Sequence, residues 1–372
     1  MKLTRFCRRT LLILIPAGLL AFAAFALTSC SPFYVLRAAY EEGKILFARE
    51  NIDDVLQSNS SNVDEKEKLA LVLKARSFAE SIGLTPKDSF TKYSRVDREI
   101  LAWVLLASEK TSFTMYTWWY PIVGTVPYKG FFEKENAECT ATRLERKGYE
   151  TWIRPTEAIS TLGWFNDPIL STTLQHPLER IANTVIHETF HSTYWIPDHV
   201  DFNESAANFV GYQGAIDFFT AQVPACHDTS CTEEQEKLLD EARDSREREL
   251  LVADIVTSLY NELEEVYSSN LPKEEILEKR QEVFDAHISP LRAKYPKMTA
   301  FQSINNAEIL QLRLYLTKLQ TFEKSFQSCK KSWECFFQKI EKTQSAVEDG
   351  DVDPFTFLGG LDTEEATNKE PL

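Results

Sequence analysis

The sequence predicts a mainly helical α+β domain with one small sheet. Three observations carry that prediction. Apolar residues recur at helical spacing through most of the chain, both before and after one segment. A single segment, about 112 to 172, is instead crowded with aromatic and β-branched residues and broken by Pro and Gly. The composition, 43% hydrophobic and 26% charged over 372 residues, supports a substantial core in one large domain or two ordinary ones.

Each element follows from local signals. Leu36 to Arg49 is an amphipathic stretch. From Asn62 to Ile82 the residues Leu69, Val72, Leu73, Phe78 and Ile82 approximate helical spacing, with Asn62 and Glu65 placed as a capping box, Gly83 as the stop and Pro86 beyond it. Residues 90 to 109 read as another helix, including Val104 to Ala107. Tyr116 to Phe132, punctuated by Pro121, Gly124, Pro127 and Gly130, predicts short strands and turns. Thr151 to Ile153 and Ile159 to Trp164 add two strands. Helix returns from Pro177 to Trp195, and after the Pro197 turn a second helix runs from Asn203 to about Ala221. Glu233 to Tyr267 and Lys273 to Lys294 form a predicted helical hairpin, and a last helix spans about Asn305 to Phe322. Residues 346–372 are acidic, carry two prolines and read as a flexible tail. The expected organisation is therefore a leader over 1–29, one domain over 30–345 and the tail.

The leader has three parts. Lys2, Arg5, Arg8 and Arg9 precede an apolar run from Leu11 to Leu27, and Leu27-Thr28-Ser29-Cys30 closes it. The run falls just short of a comfortable membrane span. Its last four residues resemble the bacterial lipobox, which implies lipidation of Cys30 and a chain held to the cell envelope by acyl groups worth ~0.8 kcal/mol per buried CH₂. An uncleaved signal anchor is the alternative. Arg8-Arg9 loosely resembles a twin-arginine signal, but the residues after it fit poorly. Ser31, rather than Asp, after the cysteine points to the periplasmic face of the outer membrane. The net charge of −15, more acidic once the basic leader is set aside, excludes a nucleic-acid backbone as partner and disfavours general adsorption to anionic lipid. Cys226 with Cys231 and Cys329 with Cys335 would each close a small loop in an oxidising compartment, leaving Cys139. Pairing between the two clusters is equally allowed by sequence, and a metal site made of these cysteines is a weaker alternative.

The chemistry concentrates at His187-Glu188-Thr189-Phe190-His191. Residues four apart on a helix stand one turn above each other, so both imidazoles can face one metal ion, Zn²⁺ by donor type. Glu188 lies beside the metal, angled to reach a water rather than to ligate, as a general base must. Thr184, Val185 and Ile186 mark the helix as one that can be buried. The plain alternative is a helix with two ordinary histidines, although these are two of only six in the chain. A third ligand is needed, and Glu204, thirteen residues after His191 and beyond the turn, is the choice; its alternative role is to cap its helix together with Asp201. His199 is the runner-up, Asp198 and Asp201 weaker still. A third histidine six residues on, as in metzincins, is excluded because that position is Pro197. Asn208, one turn past Glu204, is placed to orient a ligand.

Ser160 to Pro168, the His187 to His191 motif, and Phe202 to Val210 together resemble the bacterial family of predicted zinc aminopeptidases. Arg76 to Ala79, Val123 to Phe132, Asn305-Asn306-Ala307 and Tyr315 are similar too, so the resemblance covers nearly all of residues 31 to 340. It implies a zincin-like, gluzincin-type peptidase with zinc at His187, His191 and Glu204 and with Glu188 as base. Thr189-Phe190 departs from the more usual Leu-Ala, and the acidic tail is particular to this chain; neither touches a ligand.

The function expected is hydrolysis of peptide bonds in a peptide or protein substrate within the cell envelope. Tyr315, Tyr212 and His227 are candidate oxyanion stabilisers by residue type. Either Ile159 to Trp164 or Gly124 to Phe132 is a candidate edge strand to align substrate, each with an alternative role as aromatic core. Exopeptidase action needs an acidic group for the substrate's α-ammonium, and no motif supplies one, so an endopeptidase stays open. The other class of reading is a non-catalytic zinc-binding lipoprotein that docks a partner through its helices after Cys231.

Overall fold

The computed structural model describes residues 40, 43–59, 62–120, 124–156, 166–294, 304–350 and 352–367. In chain order these form β1 (Glu50–Asn51), α1 (Ile52–Gln57), α2 (Val63–Ser81), β2 (Lys92–Ser94), β3 (Ala102–Ser108), β4 (Trp118–Tyr120), β5 (Gly124–Val126), β6 (Tyr128–Phe131), α3 (Lys134–Glu145), β7 (Glu150–Thr156) and β8 (Ile169–Leu170). There follow α4 (Leu178–Thr193), α5 (Val200–Gln222), α6 (Thr229–Tyr267), α7 (Lys273–Lys294), α8 (Asn306–Leu316), α9 (Leu319–Ser328), α10 (Trp333–Asp349) and α11 (Pro354–Thr367). The chain is thus mainly helical with small sheets. Among the described residues no helix is long and apolar enough to cross a membrane. The leader, Cys30 and the expected strand Ile159 to Trp164 lie outside the described residues.

The largest core is built by α4 and α5 together with α2 and the aromatic layer of α9 and α10. Phe202, Phe209, Phe218, Phe219, Phe322, Phe326 and Phe336 are all fully buried there. Large rings supply much apolar area each, so a few of them secure the centre of the domain. Asn62 caps α2 by accepting from the Glu65 amide at 2.7 Å. Glu65 does not complete the capping box; its carboxylate instead takes the Tyr93 hydroxyl at 2.6 Å and Arg95 at 2.9 Å. That trade ties α2 to β2.

The helix expected over 90 to 109 is not there. Lys92–Ser94 and Ala102–Ser108 are strands, and β3 is the centre of an antiparallel sheet ordered β6-β3-β7. A seven-residue apolar run with Trp103 and Val104 has the length of a buried strand, and periodicity alone cannot separate that from a helix. Leu105 and Ala107 pack with α3, while α8 covers the opposite face. Tyr116 to Phe132 does give short strands, with β4 and β5 paired as a separate hairpin.

Two helical boundaries also differ from expectation. The last expected helix, Asn305 to Phe322, breaks at Lys318, whose φ of 48° lies in the left-handed region, and splits into α8 and α9. The expected flexible tail carries α11, whose Phe355 and Leu358 are buried against the core. Acidic composition pointed to solvation, but Asp353 caps this helix through the Thr356 amide at 2.8 Å, Pro354 opens it, and Lys339 pairs with Asp362 at 2.8 Å. Among the described residues the disulfides are the local ones, Cys226–Cys231 and Cys329–Cys335, and Cys139 is free and exposed.

Candidate metal centre

The site grows out of the α4–α5 pair. Helix α4 buries Ile181, Ala182, Val185, Ile186 and Phe190, and the same helix carries His187 and His191 one turn apart. It ends at Tyr194, and the turn that follows is held by one amide. Asn203 accepts from the Ile196 amide at 2.9 Å and donates to the Ile196 carbonyl at 2.7 Å. Asp198 turns the chain there in the left-handed region, at φ 64°. Those bonds fix the reversal, so α5 returns along α4 with Glu204 facing the histidines.

Gly211 and Gly214 set the distance between the two helices. A Cβ on Gly211 would stand 3.1 Å from both the Asn183 carbonyl oxygen and the His187 Cβ, and one on Gly214 only 2.9 Å from Ile186 Cγ2. Glu204 and Gly211 are seven residues apart and share a helix face. Close approach at the glycines therefore determines how near the Glu204 carboxylate comes to the imidazoles.

Three donor atoms converge. His187 Nε2 and His191 Nε2 are 3.2 Å apart, and Glu204 Oε2 is 3.6 Å from the first and 3.4 Å from the second. Among the described residues this is the one group of three such side chains able to hold a metal ion. His191 is buried, and the other two are largely so. Glu204 is held far below the usual carboxylate range: burial alone would raise it, but hydrogen bonds and charge from His187 and His191 outweigh that. Burial works to lower His187, yet it is raised, through its bond to Glu204 and the charges of Glu188, Glu204 and Glu249.

Around the triad, Glu188 Oε2 is buried with no hydrogen-bond partner, the condition of a carboxylate awaiting a ligand or water. The Tyr315 ring stacks on His187 at 6.5 Å between centroids. Its hydroxyl has no hydrogen-bond partner among the described residues, and burial followed by the Glu204 charge pushes its pKa well up. Tyr128 on β6 is raised by the same two causes.

The structure sorts the sequence candidates. It brings together His187, His191, Glu204, Glu188 and Tyr315. His199 stands at the start of α5 and interacts with Asp353, outside the triad. Tyr212 donates its hydroxyl to Glu249 at 3.2 Å and is spent there. His227 is exposed in the segment leading into α6. Asn208, expected to orient a ligand, forms no hydrogen bond to the three donors among the described residues; its amide donates instead to Glu249 at 2.6 Å and to the Tyr315 carbonyl at 3.1 Å. Ser205 adds a contact to the Leu314 carbonyl and accepts from the Thr317 amide, so α5 clamps the end of α8 where Tyr315 sits. Sequence reasoning missed Glu249. Glu249 lies in a charged helix 45 residues from Glu204 with no local pattern to mark it.

A family model described as "Putative aminopeptidase" matches residues 33–350 of the chain. Comparison with curated proteins and with solved structures gives no match.

Proposed function

The chain belongs to the family described as "Putative aminopeptidase", and on that premise we propose that it is a zinc-dependent peptidase with Glu188 as general base. The observation that carries this reading is the donor triangle. A tetrahedral zinc holding nitrogen and oxygen at about 2.1 Å requires its ligand atoms to be about 3.4 Å apart. The three edges here are 3.2, 3.4 and 3.6 Å. Without a cation, such convergence of two imidazole nitrogens and a carboxylate oxygen in a largely buried place is costly. Two histidines and one carboxylate, three protein ligands rather than four, are the donor set of a catalytic rather than a closed structural zinc.

Zinc, when bound, supplies a Lewis acid that polarises the scissile carbonyl and makes water a better nucleophile. His187, His191 and Glu204 would hold it. Glu188, adjacent to the first ligand with an unpartnered oxygen, accepts the proton of the attacking water and passes it to the leaving amine. Tyr315 stacks its ring on His187 and carries a hydroxyl without a hydrogen-bond partner among the described residues; a phenol is a donor at neutral pH, suited to the developing oxyanion. The clamp from Glu249 through Asn208 to the Tyr315 backbone keeps the phenol in place. The leader and Cys30 support an envelope setting on a lipid anchor, with peptides or proteins as substrate.

The test is zinc content and hydrolysis of a broad peptide library by the mature chain and by Glu188→Gln. Retained zinc with hydrolysis lost in the variant is the expected result. No hydrolysis by either protein would remove the enzymatic reading.

A further inference from the structure

We propose that Arg154 forms a subsite for a carboxylate of the peptide substrate, across from the metal triad; this rests on the peptidase reading above. The register of the sheet places the residue. Arg154 lies opposite Val104, and Leu106 lies opposite both Tyr128 and Trp152. Side chains alternate along a strand, and the intervening Leu105, Ala107 and Ile153 belong to the cluster packed on α3. Arg154, Trp152 and Tyr128 therefore share the other face with Glu150.

Helix α8 crosses that face. Its first residue, Asn306, donates its amide to Glu150, and Asn305 donates to the Thr151 carbonyl. From Asn306 to Tyr315 a helix rises about 13 Å, and from Glu150 to Arg154 a strand advances about 13 Å. Tyr315 thus comes level with Arg154. The same conclusion follows from electrostatics: the Arg154 charge acts on the phenols of Tyr128 and Tyr315, the two that also feel Glu204.

What singles out this arginine is that no carboxylate among the described residues pairs with it. Among the described residues it forms no ion pair; its Nε is buried with no hydrogen bond, and Nη1 meets only the Pro155 carbonyl at 3.5 Å. Arg246 and Arg280, also well buried, each hold a carboxylate, Glu323 at 2.9 Å and Glu150 at 2.6 Å. A chain with 56 acidic and 41 basic side chains has acids to spare, so an unsatisfied guanidinium beside the site leaves its fork for a ligand. The planar fork matches a carboxylate in two parallel hydrogen bonds. Two sources offer that group: the free C-terminus of a short peptide, or an Asp or Glu side chain near the scissile bond.

The experiment uses zinc-loaded mature chain carrying Glu188→Gln, so that binding is read without cleavage, with Arg154 intact, Arg154→Gln or Arg154→Lys. Calorimetry compares trialanine as free acid and as amide, then trialanine amides bearing one Glu against the matching Gln. With Arg154 intact, one carboxylate form should bind on the order of 10- to 100-fold tighter than its neutral counterpart. Arg154→Gln should abolish that preference, and Arg154→Lys should keep part of it. Preference for the free acid identifies the C-terminus, and preference for Glu identifies the side chain. Equal binding of acid and neutral forms with Arg154 intact, or a preference that survives Arg154→Gln, overturns the proposal. Unchanged zinc content and melting temperature of Arg154→Gln exclude misfolding as the cause. If the unmutated chain hydrolyses nothing while the preference holds, the peptidase reading falls and the subsite stands.

Discussion

Replacing Gly211 by Ala should weaken metal binding more than it weakens the fold. The added Cβ would sit 3.1 Å from the Asn183 carbonyl oxygen and 3.1 Å from His187 Cβ. Neither is the end of a flexible side chain, so α4 and α5 must separate by a few tenths of an ångström. On stability two terms oppose each other. Ala in place of Gly within a helix contributes about 0.8 to 1 kcal/mol, while overpacking costs about 1 to 3 kcal/mol. The net loss is therefore on the order of 0 to 2 kcal/mol, which a domain of this size tolerates. Metal geometry is less forgiving, because ligand distances hold to about 0.2 Å. Displacing His187 from Glu204, now 3.6 Å away, should lower zinc affinity at least tenfold, in line with the roughly 10- to 100-fold effects of disturbing a ligand's support. Gly214→Ala is the internal comparison. Its Cβ meets the Ile186 side chain at 2.9 Å, so it should cost stability while affecting affinity less. The assay is zinc competition against a chromophoric chelator, with thermal unfolding in excess chelator for the metal-free fold. Wild-type affinity in a folded Gly211→Ala protein, or a larger affinity loss from Gly214→Ala, would refute the view that this helix contact sets the ligand spacing.

Three further outcomes follow from the same structure. Glu249→Ala should leave the Asn208 amide and Tyr212 hydroxyl short of a partner and cost roughly 1 to 3 kcal/mol; denaturant titration should show that loss, and Glu249→Gln, which can still accept from Asn208, should recover most of it. Ending the chain at Gly350 removes Phe355 and Leu358 from the core and leaves the buried Lys339 without Asp362. At about 1.5 to 3 kcal/mol per buried side chain the loss should be about 3 to 6 kcal/mol, and an unchanged melting temperature would count against a packed C-terminal helix. Burial would raise Asp353, but hydrogen bonds from Thr356 and the charges of Lys318 and His199 depress it below its unfolded value. Its stabilisation of α11 is therefore complete above the unfolded pKa and is lost as pH falls through the lower folded one. The hydrogen-exchange protection factors of residues 354–367, each rate taken relative to the intrinsic rate at the same pH, should be larger at pH 7 than at pH 3, and Asp353→Asn should reduce that difference.

The sequence by itself determined what is local. The His187 and His191 pair needs only a helix, and the helix is written in the residues around it. The Asn62 cap and the short turn that joins α6 to α7 are written within a few positions along the chain, whereas the closure of each cysteine pair on itself, which the sequence left open against pairing between the clusters, was decided by the fold. Glu204 was legible as a third donor because one short turn separates it from His191. Tertiary structure decided the rest. Whether Ala102–Ser108 is helix or strand depends on partners at 128–131 and 150–156, since an apolar run satisfies either period until something pairs with it. Phe355 and Leu358 outweigh the acids around them only because a core formed far earlier in the chain accepts them. The placement of Tyr315 against His187, the bonds of Glu249 to Asn208 and Tyr212, and the position of Arg154 on the face crossed by α8 all rest on contacts between residues distant in sequence. Such contacts leave no periodic trace, because their spacing is set by how whole elements pack rather than by the repeat of any one of them.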